Sequence, residues 1–474
     1  MLFNSFTFLL FFGVILILYY YVPKRYKWIL LLTASYYFYM SWRWEYIFLI
    51  ILSTVIDYVV AQQIEKSSEA GRKKIWLGVS LVSNLGLLFY FKYYNFFIDS
   101  VNEGVSLFGV DLALPFAEII LPVGISFYTF QTLSYTLEVY YGRQPAEKHF
   151  GKFALFVSYF PQLVAGPIER PQNLLHQLDN PQPIVPENVI KGLRLFIWGL
   201  FKKVVVADRL AYFVDIVYNN PDSYHGLSVI IATVFFAFQI YCDFSGYSDM
   251  AIGVAKIMGV DLMKNFRTPY FSTSVKEFWS RWHISLSTWF RDYVYIPLGG
   301  NKVTVNRWAI NLFITFLVSG VWHGASWTFV IWGFIHGLIS TLEALNSKRK
   351  FISFSVPPVL STVWTFSVVC FAWLFFRANN MQEAFTLIGN MFNFSYNFLD
   401  EVSALNGANQ YNLAVGFPLI MLLLLLEKGQ ELRLVQHYFH SYKPVRFACY
   451  ISLIVLIAFF GVFVAQSNFI YFQF

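Results

Sequence analysis

Apolar runs recur along the whole 474-residue chain, most of them long enough to cross a hydrocarbon core of about 30 Å, which takes roughly 17 to 25 helical residues. Backbone amides at that depth have no water to bond, so each crossing run is expected to be a helix. The pattern predicts spans at 5–22, 28–41, 44–62, 75–97, 119–140, 189–207, 226–243, 308–322, 326–345, 358–376, 411–427 and 446–465. Short basic clusters fall between them. Lys24-Arg25-Tyr26-Lys27 follows the first predicted span and Arg72-Lys73-Lys74 the third, so both are expected in the cytoplasm, with Ser41-Trp42-Arg43 outside. Lys443 to Arg446 precedes the last span, which places both chain ends outside. No basic residue precedes the run Phe6–Val22 and no small-residue cleavage site follows it, so it reads as a retained span and not a signal peptide.

From Pro161 to Asn301 the pattern changes. Short apolar runs alternate with Pro, Gly, Ser, Asp, Arg and Trp, and irregular backbone at membrane depth survives only where protein or a water-filled cavity surrounds it. This centre is where a site is expected. With 57% hydrophobic, 21% aromatic and 13% charged residues, against about 25% charged in soluble domains, the chain reads as one all-α polytopic membrane domain over 1–474. Within it, 1–117 and 346–474 are N- and C-terminal spans and 118–345 is the core. The net charge of +7 sits in loop clusters and does not make a nucleic-acid groove. Cys242, Cys370 and Cys449 stand apart, with no C-x-x-C pair, so a disulfide framework and a zinc site both lose support and core packing is expected. No internal repeat, G-x-S-x-G elbow, H-E-x-x-H helix, Walker loop or dinucleotide turn is present.

Four constellations in this sequence can carry chemistry. In Asn311 to Trp327 an apolar helix ends at His323, with Ser319 one turn before it and Trp327 one turn after, and with Gly320 and Gly324 four apart to admit a second backbone. An intramembrane histidine faces the protein interior, and near its ordinary pKa of about 6.5 it can take a proton from a hydroxyl; the plainer alternative is a structural histidine bonded to a neighbouring helix. His336, thirteen residues on, falls more than roughly 90° away around a continuous helix and reads as structural. Trp279 to Asp292, read as one helix, puts Trp279, His283 and Ser287 on one strip and Arg281, Ser285, Thr288 and Asp292 on another, which also fits an interfacial helix. Gln239 to Asp249 closes an apolar helix with Asp243, Ser245, Gly246, Ser248 and Asp249, which fits a cation site, a proton relay, or capping and buried hydrogen bonds. Pro161 to Pro171, with three prolines and a glycine, reads as a re-entrant turn lining a cavity. Lys191, Arg194, Lys202, Lys203, Arg267, Lys276, Arg281, Arg291, Lys302 and Arg307 offer positive charge for an anionic donor, although positive-inside bias explains much of that set. His149, His176, His225, His437 and His440 sit in polar connections.

Trp282-His283, Trp322-His323-Gly324-Ala325, Asp243-Phe244-Ser245-Gly246-Tyr247-Ser248-Asp249, and Asp292-Tyr293 with Pro297-Leu298-Gly299-Gly300-Asn301 together resemble the membrane-bound O-acyltransferase family. The resemblance is dense from Pro122 to Gly337 and general in the flanking spans. It implies a ring of helices around a funnel, with re-entrant and amphipathic central helices and a thin partition where a histidine meets an acyl donor from the cytoplasm. His323 matches the family's essential histidine, and His283 a position that other branches fill with Asn or His. In the bacterial branch the resemblance implies acetyl transfer from acetyl-CoA, a substrate and not a resident cofactor, across the inner membrane to a polysaccharide or a separate periplasmic SGNH-type transferase. On that reading His323 is general base, His283, Trp279 and Arg281 position the donor or polarise its carbonyl, and Tyr241, Asp243 and Ser245 support the tunnel, with Trp282, Arg291 and Trp322 also against substrate. No metal is expected. The competing expectations are a proton-coupled transporter or flippase working through Asp243, Asp249 and the histidines, and a subunit of an export assembly without chemistry of its own.

Overall fold

The computed structural model describes residues 1–110, 114–350, 356–432, 442–463 and 469–470, and every regular element among them is helical. In order these are α1 (Phe6–Tyr21), α2 (Lys27–Met40), α3 (Ile47–Lys66), α4 (Ala70–Leu88), α5 (Tyr94–Ser106), α6 (Ile125–Tyr140), α7 (Phe150–Ser158), α8 (Phe160–Leu163), α9 (Pro171–Asp179) and α10 (Pro186–Leu200). There follow α11 (Asp208–Tyr218), α12 (Leu227–Ile257), α13 (Val275–Arg281), α14 (Ile284–Phe290), α15 (Val305–His323), α16 (Trp327–Arg349), α17 (Pro358–Arg377), α18 (Met381–Met391), α19 (Phe398–Ser403), α20 (Gly407–Glu431) and a further helix, Lys443–Phe460. Among the described residues, seven helical stretches are long and apolar enough to cross a membrane: Trp44–Lys66, Ala70–Ser106, Leu227–Ile257, Trp327–Arg349, Pro358–Arg377, Gly407–Glu431 and Lys443–Phe460. The chain is a multi-pass, all-α membrane protein.

Several boundaries differ from the pattern of apolar runs, each for a local reason. The run at 119–140 becomes helical only at Ile125, because Pro122 and the left-handed Gly124 (φ 74°) break it first. The run at 75–97 extends on both sides: α4 passes through a π-helical turn, Phe89–Tyr93, into α5. The run at 226–243 continues through the polar Asp243–Asp249 segment to Ile257, so those residues lie inside a helix and do not cap it. Segment 279–292 is two short helices, not one. His437 and His440, and positions 464 and 465 of the last predicted span, lie outside the described residues. Cys242 and Cys370 are buried, as core packing requires, but Cys449 is exposed on Lys443–Phe460, a helix with no buried residue.

The chain divides into two compact units. The first comprises 1–196 and 251–263. Its α6 is buried along nearly its whole length, which explains why a predicted span carries Ser, Thr, Gln and Glu: its polar groups bond to protein instead of facing lipid. Thr136 donates to Asp57 of α3 at 2.7 Å, Asn84 of α4 donates to the same carboxylate at 2.6 Å, and Ser80 bonds it as well, tying three helices to one buried group.

The second unit comprises 197–250 and 264–474. Its core is aromatic, built around Trp282, Trp332 and Trp373, all fully buried. The helix ends here are capped by the expected chemistry: Ser274 accepts from the Glu277 amide to start α13, Ser326 from Thr328 to start α16, and Asn380 from Glu383 to start α18. Helices α15 and α16 form a close antiparallel pair. A Cβ on Gly320 would meet the Phe329 carbonyl oxygen at 2.5 Å and the Gly333 Cα at 2.9 Å, so glycine at both positions sets the approach. Gly246 of α12 abuts the Gly199 carbonyl in the same way, at 2.7 Å from an added Cβ.

Candidate active site

His323 is the last residue of α15, and the close approach of α16 turns it inward, where it is 3% exposed. Its Nδ1 lies 2.7 Å from the Ser319 carbonyl oxygen one turn earlier. A carbonyl only accepts, so Nδ1 carries the hydrogen and Nε2 is left as the basic nitrogen. The ring is boxed by Trp322 (centroids 5.0 Å), Trp332 (4.6 Å) and Phe376 (5.7 Å). Ser319 therefore bonds His323 through its main chain.

His283 arrives by a different device. Between α13 and α14 the chain turns through Trp282 and His283, with His283 left-handed at φ 41°. The turn is pinned from one side by the segment after α12: the Asn265 carbonyl accepts from the Ile284 amide at 2.9 Å, the Asn265 side-chain oxygen from the Ser285 amide at 3.2 Å, and the Arg281 carbonyl from the Arg267 amide at 2.9 Å. Asn265 is itself held by donation to Ser248 at 3.1 Å. The His283 ring, fully buried, meets Phe244 edge-on at 4.6 Å and Trp322 at 6.4 Å. Trp322 thus touches both histidines, and its indole is their common wall.

The tryptophans and the arginines separate in role. Trp279 donates its indole N–H to His336 Nδ1 at 3.3 Å, and the Trp332 ring lies between His336 (4.9 Å) and His323. His336 is accordingly a fixed acceptor that orients Trp279. Trp282 is packed among Phe278, Phe266 and Trp373 and belongs to the core. Arg281 bonds Glu277 at 2.6 Å and Glu431 at 3.1 Å, so two carboxylates already oppose its charge. Arg291 is mostly exposed and pairs with its neighbour Asp292 at 2.8 Å, in a π-helical turn. The single strip expected for Trp279, His283 and Ser287 does not exist, because the left-handed turn at His283 resets the helix.

The polar segment of α12 resolves into ion pairs. Directly after α10 the chain makes a π-helical turn, Phe201–Ala207, whose extra residue turns both Lys202 and Lys203 inward, each 3% exposed. Lys203 bridges Asp208 at 2.8 Å and Asp243 at 2.7 Å; Lys202 pairs with Asp249 at 2.5 Å and donates to Ser245 at 2.9 Å. The other Asp243 oxygen accepts the Ile470 amide at 2.7 Å. These lysines are therefore not charges at a mouth, as their basic character proposed, and the two α12 carboxylates are opposed by ammonium groups and not arranged as a cation cage. Tyr241 donates to Glu427 of α20, both buried. Among the described residues no group of three or more His, Cys, Asp or Glu is placed to hold a metal.

Asn265, Asp208 and Glu427 are the positioning residues that sequence reasoning missed. Only Glu427 left a trace, as a lone carboxylate ending the apolar run Ile420–Leu426; nothing in the local pattern marks Asn265, whose partners lie 17 and 20 residues away.

Against known proteins, the profile of MBOAT, the membrane-bound O-acyltransferase family, matches residues 5–382. The chain is similar to the "Probable alginate O-acetylase AlgI" of Pseudomonas aeruginosa, 42% identical over 432 residues, which is 90% of this chain and 81% of that protein. It is 37% identical over 388 residues to the "Peptidoglycan O-acetyltransferase" of Helicobacter pylori, 76% of this chain and 73% of the relative. A more distant relative is the "Teichoic acid D-alanyltransferase" of Bacillus subtilis, 31% identical over 273 residues, 54% and 68% of the two chains.

Proposed function

Because the chain belongs to the membrane-bound O-acyltransferase family, we propose that it takes an acetyl group from acetyl-CoA on the cytoplasmic side of a bacterial inner membrane and passes it outward to a polysaccharide hydroxyl, with His323 as general base. The observation that carries this reading is the His323 tautomer: Nδ1–H is committed to the Ser319 carbonyl, so a lone pair is held on Nε2 inside an aromatic box. A thioester carbonyl is already electrophilic, so the protein has to position it, accept a proton and favour the oxyanion. In the step proposed, Nε2 takes the acceptor hydroxyl's proton as its oxygen bonds the acyl carbon; the C–S bond breaks, and the imidazolium returns the proton to the leaving thiolate. General bases of this kind contribute roughly 10² to 10⁴ in rate.

His283, across the Trp322 indole from His323, lines the acyl position, and Trp279, held by His336, forms the neighbouring wall. Arg281, Asp243, Ser245 and Tyr241 act through the ion pairs and hydrogen bonds that fix the helices behind this wall. The acceptor is a hydroxyl of an envelope or exported polysaccharide, reached directly or through a periplasmic SGNH-type partner, and both chain ends face the periplasm. The polysaccharides in the relatives' names, alginate and peptidoglycan, are the first two to try. A proton-coupled transporter is the weaker reading, since the carboxylates it would use, Asp243 and Asp249, are already neutralised by Lys203 and Lys202. The test is transfer of labelled acetyl from acetyl-CoA by membranes carrying the chain, with alginate or peptidoglycan and a candidate partner added. Label in polysaccharide supports the reading; no label, with the protein folded and inserted, refutes it.

A further inference from the structure

In the second unit, residues 378–406 join two of the spans, Pro358–Arg377 and Gly407–Glu431. Lys348 and Arg349 close the span before this pair, and Lys428 lies at the far end of Gly407–Glu431. Those basic residues mark cytoplasmic ends, so 378–406 falls on the opposite face, the one the acceptor reaches in the function proposed above. Within it, Phe392-Asn393-Phe394-Ser395-Tyr396-Asn397 alternates aromatic rings with small polar residues.

The connection before α12 ties this loop down. The Gly226 amide donates to the Asn390 carbonyl at 2.8 Å, and the Asn390 side chain donates to the Pro221 carbonyl at 2.9 Å. Glu401 of α19 accepts from the His225 amide at 3.1 Å, meets the same residue's Nδ1 at 3.3 Å, and accepts from Ser228 on its other oxygen. The Tyr396 ring stacks on the imidazole so fixed, with centroids 3.8 Å and planes 13° apart. Phe394 lies against the next residue, its Cδ1 3.0 Å from where a Cβ on the left-handed Gly226 would stand. Both rings are backed by protein yet stay mostly open, Tyr396 at 57% and Phe394 at 65% exposed. Rings held in this way have already lost much of the rotamer freedom that binding would otherwise remove.

Charge decides between the occupants such a surface could take. No Lys or Arg occurs in 378–406, whereas Glu383, Asp400 and Glu401 do. Attachment to anionic lipid headgroups draws on Lys and Arg, and a carboxylated sugar chain would be repelled by these acids. The negative face of an aromatic ring attracts the polarised C–H bonds on the flat side of a pyranose. We propose that the loop is a docking surface for the acceptor glycan, an uncharged chain of pyranose rings that stacks on Tyr396 and Phe394. That occupant rests on the function proposed above, in which the acceptor is a polysaccharide.

The test uses the full chain in lipid nanodiscs and measures equilibrium binding of cellohexaose, whose β-linked rings carry C–H bonds on both faces, and of a mannuronate hexamer. Tyr396→Ala removes the platform from an exposed loop, and Tyr396→Trp keeps a flat ring there; the unfolding transition of each variant checks that the fold is intact. Cellohexaose affinity that falls at least tenfold in Tyr396→Ala, stays within about threefold of wild type in Tyr396→Trp, and exceeds that for the mannuronate hexamer supports the surface. No binding of cellohexaose, equal binding by wild type and Tyr396→Ala, or a mannuronate hexamer bound as tightly as cellohexaose overturns the proposal; the first two outcomes return the loop to a role as a membrane-interface anchor. Acetyl transfer measured in parallel separates the two readings: transfer without cellohexaose binding rejects this surface alone, and binding without transfer supports the surface while rejecting the acyl-donor reading.

Discussion

Replacing Lys203 with Met isolates what the π-helical turn is for. In the native protein one ammonium, 4% exposed at the side chain, faces Asp208 at 2.8 Å and Asp243 at 2.7 Å, each 5% exposed. Methionine keeps the stem's volume and removes the charge, leaving two buried carboxylates opposed to each other. Breaking a buried pair by deleting one partner costs about 3–5 kcal/mol, mainly because the stranded charge has lost both water and partner. With two stranded carboxylates the loss should lie at the upper end, about 4–5 kcal/mol. Asp243→Asn and Asp208→Asn added to Lys203→Met remove the stranded charges and should recover most of it, since neutral replacement of a whole buried ion cluster is often close to isoenergetic. Reversible unfolding in mixed micelles, followed by tryptophan fluorescence, reads both quantities as a mutant cycle. A Lys203→Met variant within about 1 kcal/mol of wild type, or a triple variant no more stable than the single one, would show that the triad is solvated and refute the reasoning.

Three further outcomes follow from the same structure. Gly320→Leu drives a side chain into the Phe329 carbonyl and Gly333, so α15 and α16 must part; overpacking of this kind costs about 1–3 kcal/mol, and acetyl transfer should fall far more than expression does. Asn265→Ala removes the acceptor of the Ser285 amide at the His283 turn, costing about 1–3 kcal/mol in unfolding experiments and lowering kcat for acetyl transfer, while His283→Asn, which tolerates the left-handed backbone, keeps the fold. Tyr241→Phe leaves buried Glu427 short of a donor and should destabilise by about 1–3 kcal/mol; an unchanged unfolding curve would mean that water replaces the hydroxyl.

The sequence was most informative where one physical constraint dominated. Hydrocarbon thickness marks the long spans, and glycines spaced for helix contact pointed to the pairing at Gly320, although its partner Gly333 was not evident from local pattern. The inward placement of His323 was legible because an ionisable residue on an apolar membrane helix is expected to face the protein interior. What local pattern could not show was the backbone's departure from ideal helix. A π-helical turn at Phe201–Ala207 converts two apparently surface lysines into buried counter-ions, and a left-handed residue at His283 ends a helix that periodicity would have continued. Both depend on partners distant in the chain, Asp243 for Lys203 and Asn265 for the His283 turn. The pairing of Trp279 with His336, 57 residues apart, is of the same kind.

The most direct test of the account is acetyl transfer from labelled acetyl-CoA by membranes carrying wild type, His323→Ala or His336→Ala, with insertion and amount of each protein verified. The account predicts that His323→Ala loses at least about a hundredfold in kcat, the lower bound for a missing general base, whereas His336→Ala, which only releases Trp279, retains measurable turnover. A His323→Ala protein that folds, inserts and transfers acetyl at the wild-type rate would contradict it.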